Sequence, residues 1–293
     1  MLNYLILIIS TLMATGKSLF CKAIGVGSYS KREAMLLNFK SFVVAFICSL
    51  LFLISQKRGL FNISIFSLVL SVFFGLSVAI TQVMQARAMG KGPASIVTLI
   101  YSCGFLIPIF YGLPFWGEDV SIFQWLGIAL LVVSIGLIVI KGDSVRSFST
   151  WLPFAIIAML GSGINAIFQK THQYSSYADE LPLFLAYSLF FSALFTGLTA
   201  LLTKKEANKP QSKKSLKSII VPICLGVCVG ALNLLNLNLS GKIPSVILFP
   251  IYNVGSLLLT TVISSVIYKD KISKRQSVGF AIGIVAILIV GIF

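Results

Sequence analysis

The sequence predicts an all-α integral membrane protein with ten transmembrane helices arranged as two inverted five-helix repeats. Three observations carry that prediction: an apolar composition, apolar runs of membrane-crossing length, and one phrase that occurs twice. Of 293 residues, 57% are hydrophobic and only 11% charged, and the mean hydropathy is +0.99. Soluble domains carry about 25% charged residues. Runs of about 20 apolar residues recur along the chain, the length a helix needs to cross a hydrocarbon core of ~30 Å. The phrase is "GKGPASIVTLIYSCG" (90–104), which returns as "GKIPSVILFPIYNVG" (241–255) with Gly, Lys, Pro, Tyr and Gly in register.

Taken in order, the spans fall at 2–21, 34–54, 63–87, 94–115, 122–140, 152–172, 182–202, 218–240, 245–268 and 277–293. The first starts beside Met1 with no basic leader or small-residue cleavage site, so it reads as a retained helix and not a removed signal. Pro93 and Pro244 open the spans at 94–115 and 245–268, where a missing N–H costs nothing. Pro108, Pro114 and Pro250 lie inside spans and predict kinks. The polar "KGDSVRSFST" (141–150) divides the chain into two domains, 1–141 and 151–293. The stretch "TKKEANKPQSKKSLK" (203–217) has nothing to bury and reads as a mobile loop. Gly279 and Gly283 put a small-xxx-small face on the last span, suited to packing inside the molecule or, alternatively, against a second copy in a homodimer.

The repeat extends beyond the opening phrase. At the same offset "GLSVAITQVMQARAMGKGP" (75–93) lies over "GVCVGALNLLNLNLSGKIP" (226–244), pairing Gln82 with Asn233 and Gln85 with Asn236. Near the start, "LMATGKSLFCK" (12–22) lies over "LGSGINAIFQK" (160–170), and "GIALLVVSIGLIVI" (127–140) lies over "GFAIGIVAILIVGI" (279–292). Five spans per half is an odd number, so the second half enters the membrane upside down. Loop charge agrees. With Arg87 and Lys170 taken as loop edges, the loops after odd-numbered spans hold 17 Lys and Arg and those after even-numbered spans hold 4. Charge follows the membrane side and not the repeat, as inversion requires. The positive-inside rule then makes the odd loops cytoplasmic and turns both ends outward.

Several function classes are excluded by what the chain lacks. The net charge of +15 is spread over short loops, which points to topology and to anionic lipid head groups as partners and not to nucleic acid. The cysteines at 21, 48, 103, 224 and 228 lie in or beside apolar spans, where a free thiol behaves as a small hydrophobe. His172 is the single histidine. No cofactor, metal or catalytic residue is expected, and Asp179–Glu180 beside His172 reads as a short polar loop.

Two five-span halves, the "GKxP" ahead of the fourth and ninth spans, and "GEDVSIFQWLGIALLVVSIGLIVI" (117–140) resemble the drug/metabolite transporter superfamily, in its EamA-type ten-helix branch. The resemblance implies secondary transport of a small metabolite or drug, usually export. It implies a cavity lined by spans 1–4 and 6–9, with spans 5 and 10 peripheral, and it implies both ends inside, opposite to the charge count. Related small multidrug resistance proteins have a glutamate in the first span. Here Met13 takes that place, which argues against their style of proton/cation antiport. The compact loops fit a bacterial plasma membrane.

The residues expected to carry transport are amides and hydroxyls, because every Asp and Glu falls in a loop or at its edge. Gln82 with Gln85, and Asn233 with Asn236, are i,i+3 pairs on one helix face. Tyr101 and Ser102 are repeat mates of Tyr252 and Asn253. At 1.5 Å per residue the first-half set lies roughly 9–12 Å in from one membrane edge, and the second-half set equally deep from the other. Together they predict a polar, uncharged cavity across the midplane for a neutral or zwitterionic substrate. Lys17 and Lys40 are the charges that remain inside spans. Snorkelling to the head groups is the expectation for both. The alternative is that they steer an anionic metabolite inward, for uptake or exchange.

Overall fold

The computed structural model describes residues 2–26, 30–56, 59, 62–92, 94–139, 148–203, 216–268 and 274–292. Pro93, most of the 141–150 linker, most of the 203–217 loop and residues 269–273 lie outside them. Among the described residues the chain is helical, with no strand: α1 Leu2–Val26, α2 Lys31–Ser55, α3 Ile65–Lys91, α4 Ala94–Ser102, α5 Leu106–Phe115, α6 Ile122–Val139, α7 Phe148–Gln173, α8 Leu181–Leu202, α9 Lys217–Ser240, α10 Ser245–Tyr268 and α11 Lys274–Ile292. Eight of the predicted spans are long and apolar enough to cross a membrane, α4 and α5 counting as one. The other two contribute shorter apolar stretches, Ile122–Ser134 of α6 and Ser277–Val290 of α11.

Local chemistry sets the ends and the one break. Ser30 and Glu33 close a capping box at the start of α2, and the Ser64 hydroxyl accepts from the Ser67 N–H at the start of α3. Each satisfies N–H groups that the first helical turn leaves orphaned. Between α4 and α5 the chain tightens into a 3₁₀ turn at Cys103–Phe105. Pro108 accounts for the place, because it has no N–H to give to the carbonyl four residues back, at Gly104. The predicted kink at Pro108 is therefore a change of helix type beside Tyr101 and Ser102. Pro114 and Pro250 lie inside α5 and α10 respectively.

The two halves interleave, and their partnerships recur with the halves exchanged. α3 packs on α7 as α1 packs on α9; α2 packs on α9 as α3 packs on α8; α1 packs on α10 as α4 and α5 pack on α7. α2 with α8, and α6 with α11, pair across the halves. The repeat mates Gly75 and Gly226 show why small residues are needed. A Cβ at Gly75 would run into the backbone of Ser188 on α8, and one at Gly226 into the backbone of Ser41 on α2. α6 and α11 lie at the edge, with Ile122, Phe123, Leu126, Val132 and Val133 of one and Ile284, Val285 and Leu288 of the other exposed. Gly279 and Gly283 are used within the molecule: Ser134 Oγ donates to the Gly279 carbonyl at 2.7 Å and lies against Gly283.

Candidate functional site

One polar cavity lies between the halves. It is lined by Lys17 of α1, Gln82 of α3, Tyr101 of α4, Ser162, Asn165 and Gln169 of α7, Asn233 and Asn236 of α9 and Tyr252 of α10, with Val78, Ala166, Val229 and Leu232 between them. Its enclosed volume in this conformation is about 30 Å³, a narrow polar space. Tyr101 comes from the nine-residue α4 and the other polar side chains from long, largely apolar helices, so turning inward is the arrangement that keeps these groups out of hydrocarbon.

Hydrogen bonds fix most of the lining. Gln82 Nε2 donates to Asn38 Oδ1 and Ser41 Oγ of α2, both at 3.0 Å, while its Oε1 is buried without a partner. Gln169 Nε2 donates to Asn233 Oδ1 at 3.0 Å, and Asn233 Nδ2 to the Val229 carbonyl at 2.9 Å. Ser10 Oγ of α1 donates to Asn236 Oδ1. Asn165 Nδ2 donates to Thr81 Oγ1 at 3.3 Å, and its Oδ1 is also buried without a partner. The Lys17 ammonium donates to Tyr101 Oη at 3.0 Å and lies 5.0 Å from the centre of that ring. No carboxylate pairs with Lys17 among the described residues. The residues lining the cavity thus include one cation and two buried carbonyl oxygens without partners.

Of the nine predicted site residues, six meet here: Lys17, Gln82, Tyr101, Asn233, Asn236 and Tyr252. Three do not line the cavity. Ser102 Oγ donates to the Asn253 carbonyl at 3.3 Å and Asn253 Nδ2 to the Phe249 carbonyl at 3.0 Å, so this pair fastens α4 to α10. Gln85 is fully buried, and both its amide atoms are without partners. The snorkelling expected of Lys17 is also corrected: Tyr101 holds it inward. Lys40 does face outward, exposed beside an apolar groove formed with Ile219, Pro222 and Ile223 of α9, so the two lysines do not form one steering site. The α7 contribution was missed, though a signal existed. The register that lays Lys22 over Lys170 also lays Lys17 over Asn165.

Beyond Gln169 the cavity is covered. Lys170 forms an ion pair with Glu118 of the loop between α5 and α6. The Lys170 ammonium also donates to Ser245 Oγ at 2.8 Å, and the Ser245 N–H reaches both Glu118 oxygens at 3.1 Å. Trp116 and Tyr174 cover the ammonium, their ring centres 5.1 and 5.3 Å away. The Tyr174 phenol is held above its ordinary pKa, first by desolvation and then by the Glu118 carboxylate nearby. On the same face Glu180 accepts from Ser64 N–H at 3.1 Å and Ser64 Oγ at 2.7 Å, while His172 stacks on Phe184 with ring centres 4.0 Å apart. His172 and Glu180 therefore serve packing and capping, and no metal-holding cluster exists among the described residues.

Comparison with known proteins bears on the fold and the family. One solved crystal structure superposes on 98% of this chain and 96% of its own with a TM-score of 0.71 at 14% identity. At that identity the likeness shows the fold alone. No curated protein matches the chain. Residues 1–140, the whole of the first five-span half, match the family model described as the EamA-like transporter family, and over that half the chain is identified as a membrane protein of that family.

Proposed function

We propose that the chain is a secondary transporter that moves a small zwitterionic metabolite by alternating access, in the plasma membrane of a bacterium. One observation carries the reading: a polar cavity between the two halves that offers a single unpaired ammonium, Lys17, and two donor-less oxygens, Gln82 Oε1 and Asn165 Oδ1. A substrate carboxylate answers Lys17, and a substrate ammonium or N–H answers the oxygens. Buried groups left without partners cost about 1–3 kcal/mol each, so a ligand that satisfies all three gains specificity from them. The Tyr101 and Tyr252 rings add apolar wall to the same cavity. The exchange-related helix contacts support two domains, 1–141 and 151–293, that swap conformations about this shared site, as inverted repeats do in other transporters.

Thermal stability of the purified protein against amino acids, nucleosides, organic cations and sugar phosphates tests the reading. A ligand at a hundred times its dissociation constant adds about 2.7 kcal/mol. Zwitterions are expected to stabilise the native chain and to lose that effect with Lys17→Met and with Asn165→Ala. Stabilisation by anions alone, dependent on Lys17 and indifferent to Asn165→Ala, would replace the reading with the anionic one. Shifts that survive both changes would put the site elsewhere.

A further inference from the structure

We propose that the Glu118–Lys170 pair is the gate that closes one end of the cavity, and that its separation opens the cavity to the face carrying loops 116–121 and 173–181. Three observations place it. The first is position along the helices. On α7 the lining runs through Ser162, Asn165 and Gln169, and Lys170 is the next residue. On α10 the lining residue Tyr252 sits about 10 Å along the helix from Ser245, which both partners of the pair contact. The contact therefore lies directly beyond the last polar layer of the cavity.

The second observation is what the pair joins. One carboxylate and one ammonium tie the α5–α6 loop of the first half to α7 and α10 of the second. Gln169, adjoining Lys170, holds Asn233 at 3.0 Å. Moving the last turn of α7 thus changes the cover and the lining together.

The third is the chemistry of the pair. The Lys170 side chain is 0% exposed and that of Glu118 9%. A buried ion pair adds little net stability, because the desolvation of both charges offsets their attraction. At a helix end beside a loop, separation returns both charges to water and recovers that hydration. Closed-dry and open-wet arrangements then lie close in free energy, which is the property of a gate. Two apolar side chains in the same place would hold only the closed form.

Accessibility tests this without a known substrate, so its failure is separable from failure of the transport reading. In a background with Cys21, Cys48, Cys103, Cys224 and Cys228 replaced, Asn165→Cys places one thiol in the cavity. A membrane-impermeant maleimide is then applied to sealed vesicles of either orientation. Glu118→Gln is expected to speed labelling at least tenfold from the face carrying loop 116–121 and to slow it from the other face. Unchanged labelling, or equal acceleration from both faces, overturns the proposal. As a second variant, Glu118→Cys with Lys170→Cys, oxidised to a disulfide, is expected to block labelling from that face alone until reduced. Labelling as fast in the oxidised as in the reduced protein overturns it equally.

Discussion

Gln82 divides one amide between two tasks. Its Nε2 holds α3 to α2 through Asn38 and Ser41, and its Oε1, buried without a partner, is the atom assigned to the ligand in the proposed function. Asn165 makes a single longer bond, to Thr81. Gln82→Ala is therefore expected to cost about 1–3 kcal/mol of ligand-free stability, because it orphans buried groups on α2, and to abolish ligand stabilisation as well. Asn165→Ala is expected to abolish the ligand shift while moving the ligand-free melting temperature little. Melting curves with and without ligand check both. Part of this was legible in the sequence. The i,i+3 amides and the paired tyrosines marked the right helices, and five of those six residues reach the cavity. Spacing states which residues share a face, but not which neighbour that face meets. Gln85 shares the register of Gln82 yet is buried away from the cavity, and Ser102 and Asn253 are taken up in joining α4 to α10.

At the scale of the element, the helices were readable because apolar length sets them, and the break in the fourth span because Pro108 removes a bond. The close crossings were not. Gly75 and Gly226 are two of 23 glycines, and although hydropathy separates them from the loop residue Gly59, it does not separate them from Gly136 of α6, where a Cβ would meet nothing within 4 Å. What distinguishes them is that the repeat pairs them and that each seats the backbone of a helix from the other half. Gly226→Val is expected to destabilise by about 1–3 kcal/mol, as overpacking in a close-packed interior does. Gly75→Val should do the same and Gly59→Ala should not, as read from the melting temperature in detergent.

For the whole molecule, the sequence announced two related halves but not how they entwine. In lipid every outer face is apolar, so hydropathy cannot say which helix touches which; small residues and polar contacts decide it. Here α2 sits between α8 and α9, α1 between α9 and α10, and α6 against α11, so each half finds much of its packing on the other. Fragments 1–147 and 148–293 made together are expected to co-purify as one particle, and each made alone to be degraded. Recovery of either fragment alone as a monodisperse folded species would contradict that interdependence.

The solitary ammonium of Lys17 has an electrical consequence. A charge that faces first one side of a membrane and then the other moves through the transmembrane field, which acts on it with about 2.3 kcal/mol per 100 mV for a full crossing. In the proposed transport cycle the empty carrier is then polarised by voltage and rests against one side. The proposed zwitterionic cargo carries no net charge, so it leaves that force in place and the loaded carrier feels it as the empty one does. Both the loaded and the empty journey of that proposed cycle therefore answer to the cell's potential through this one lysine.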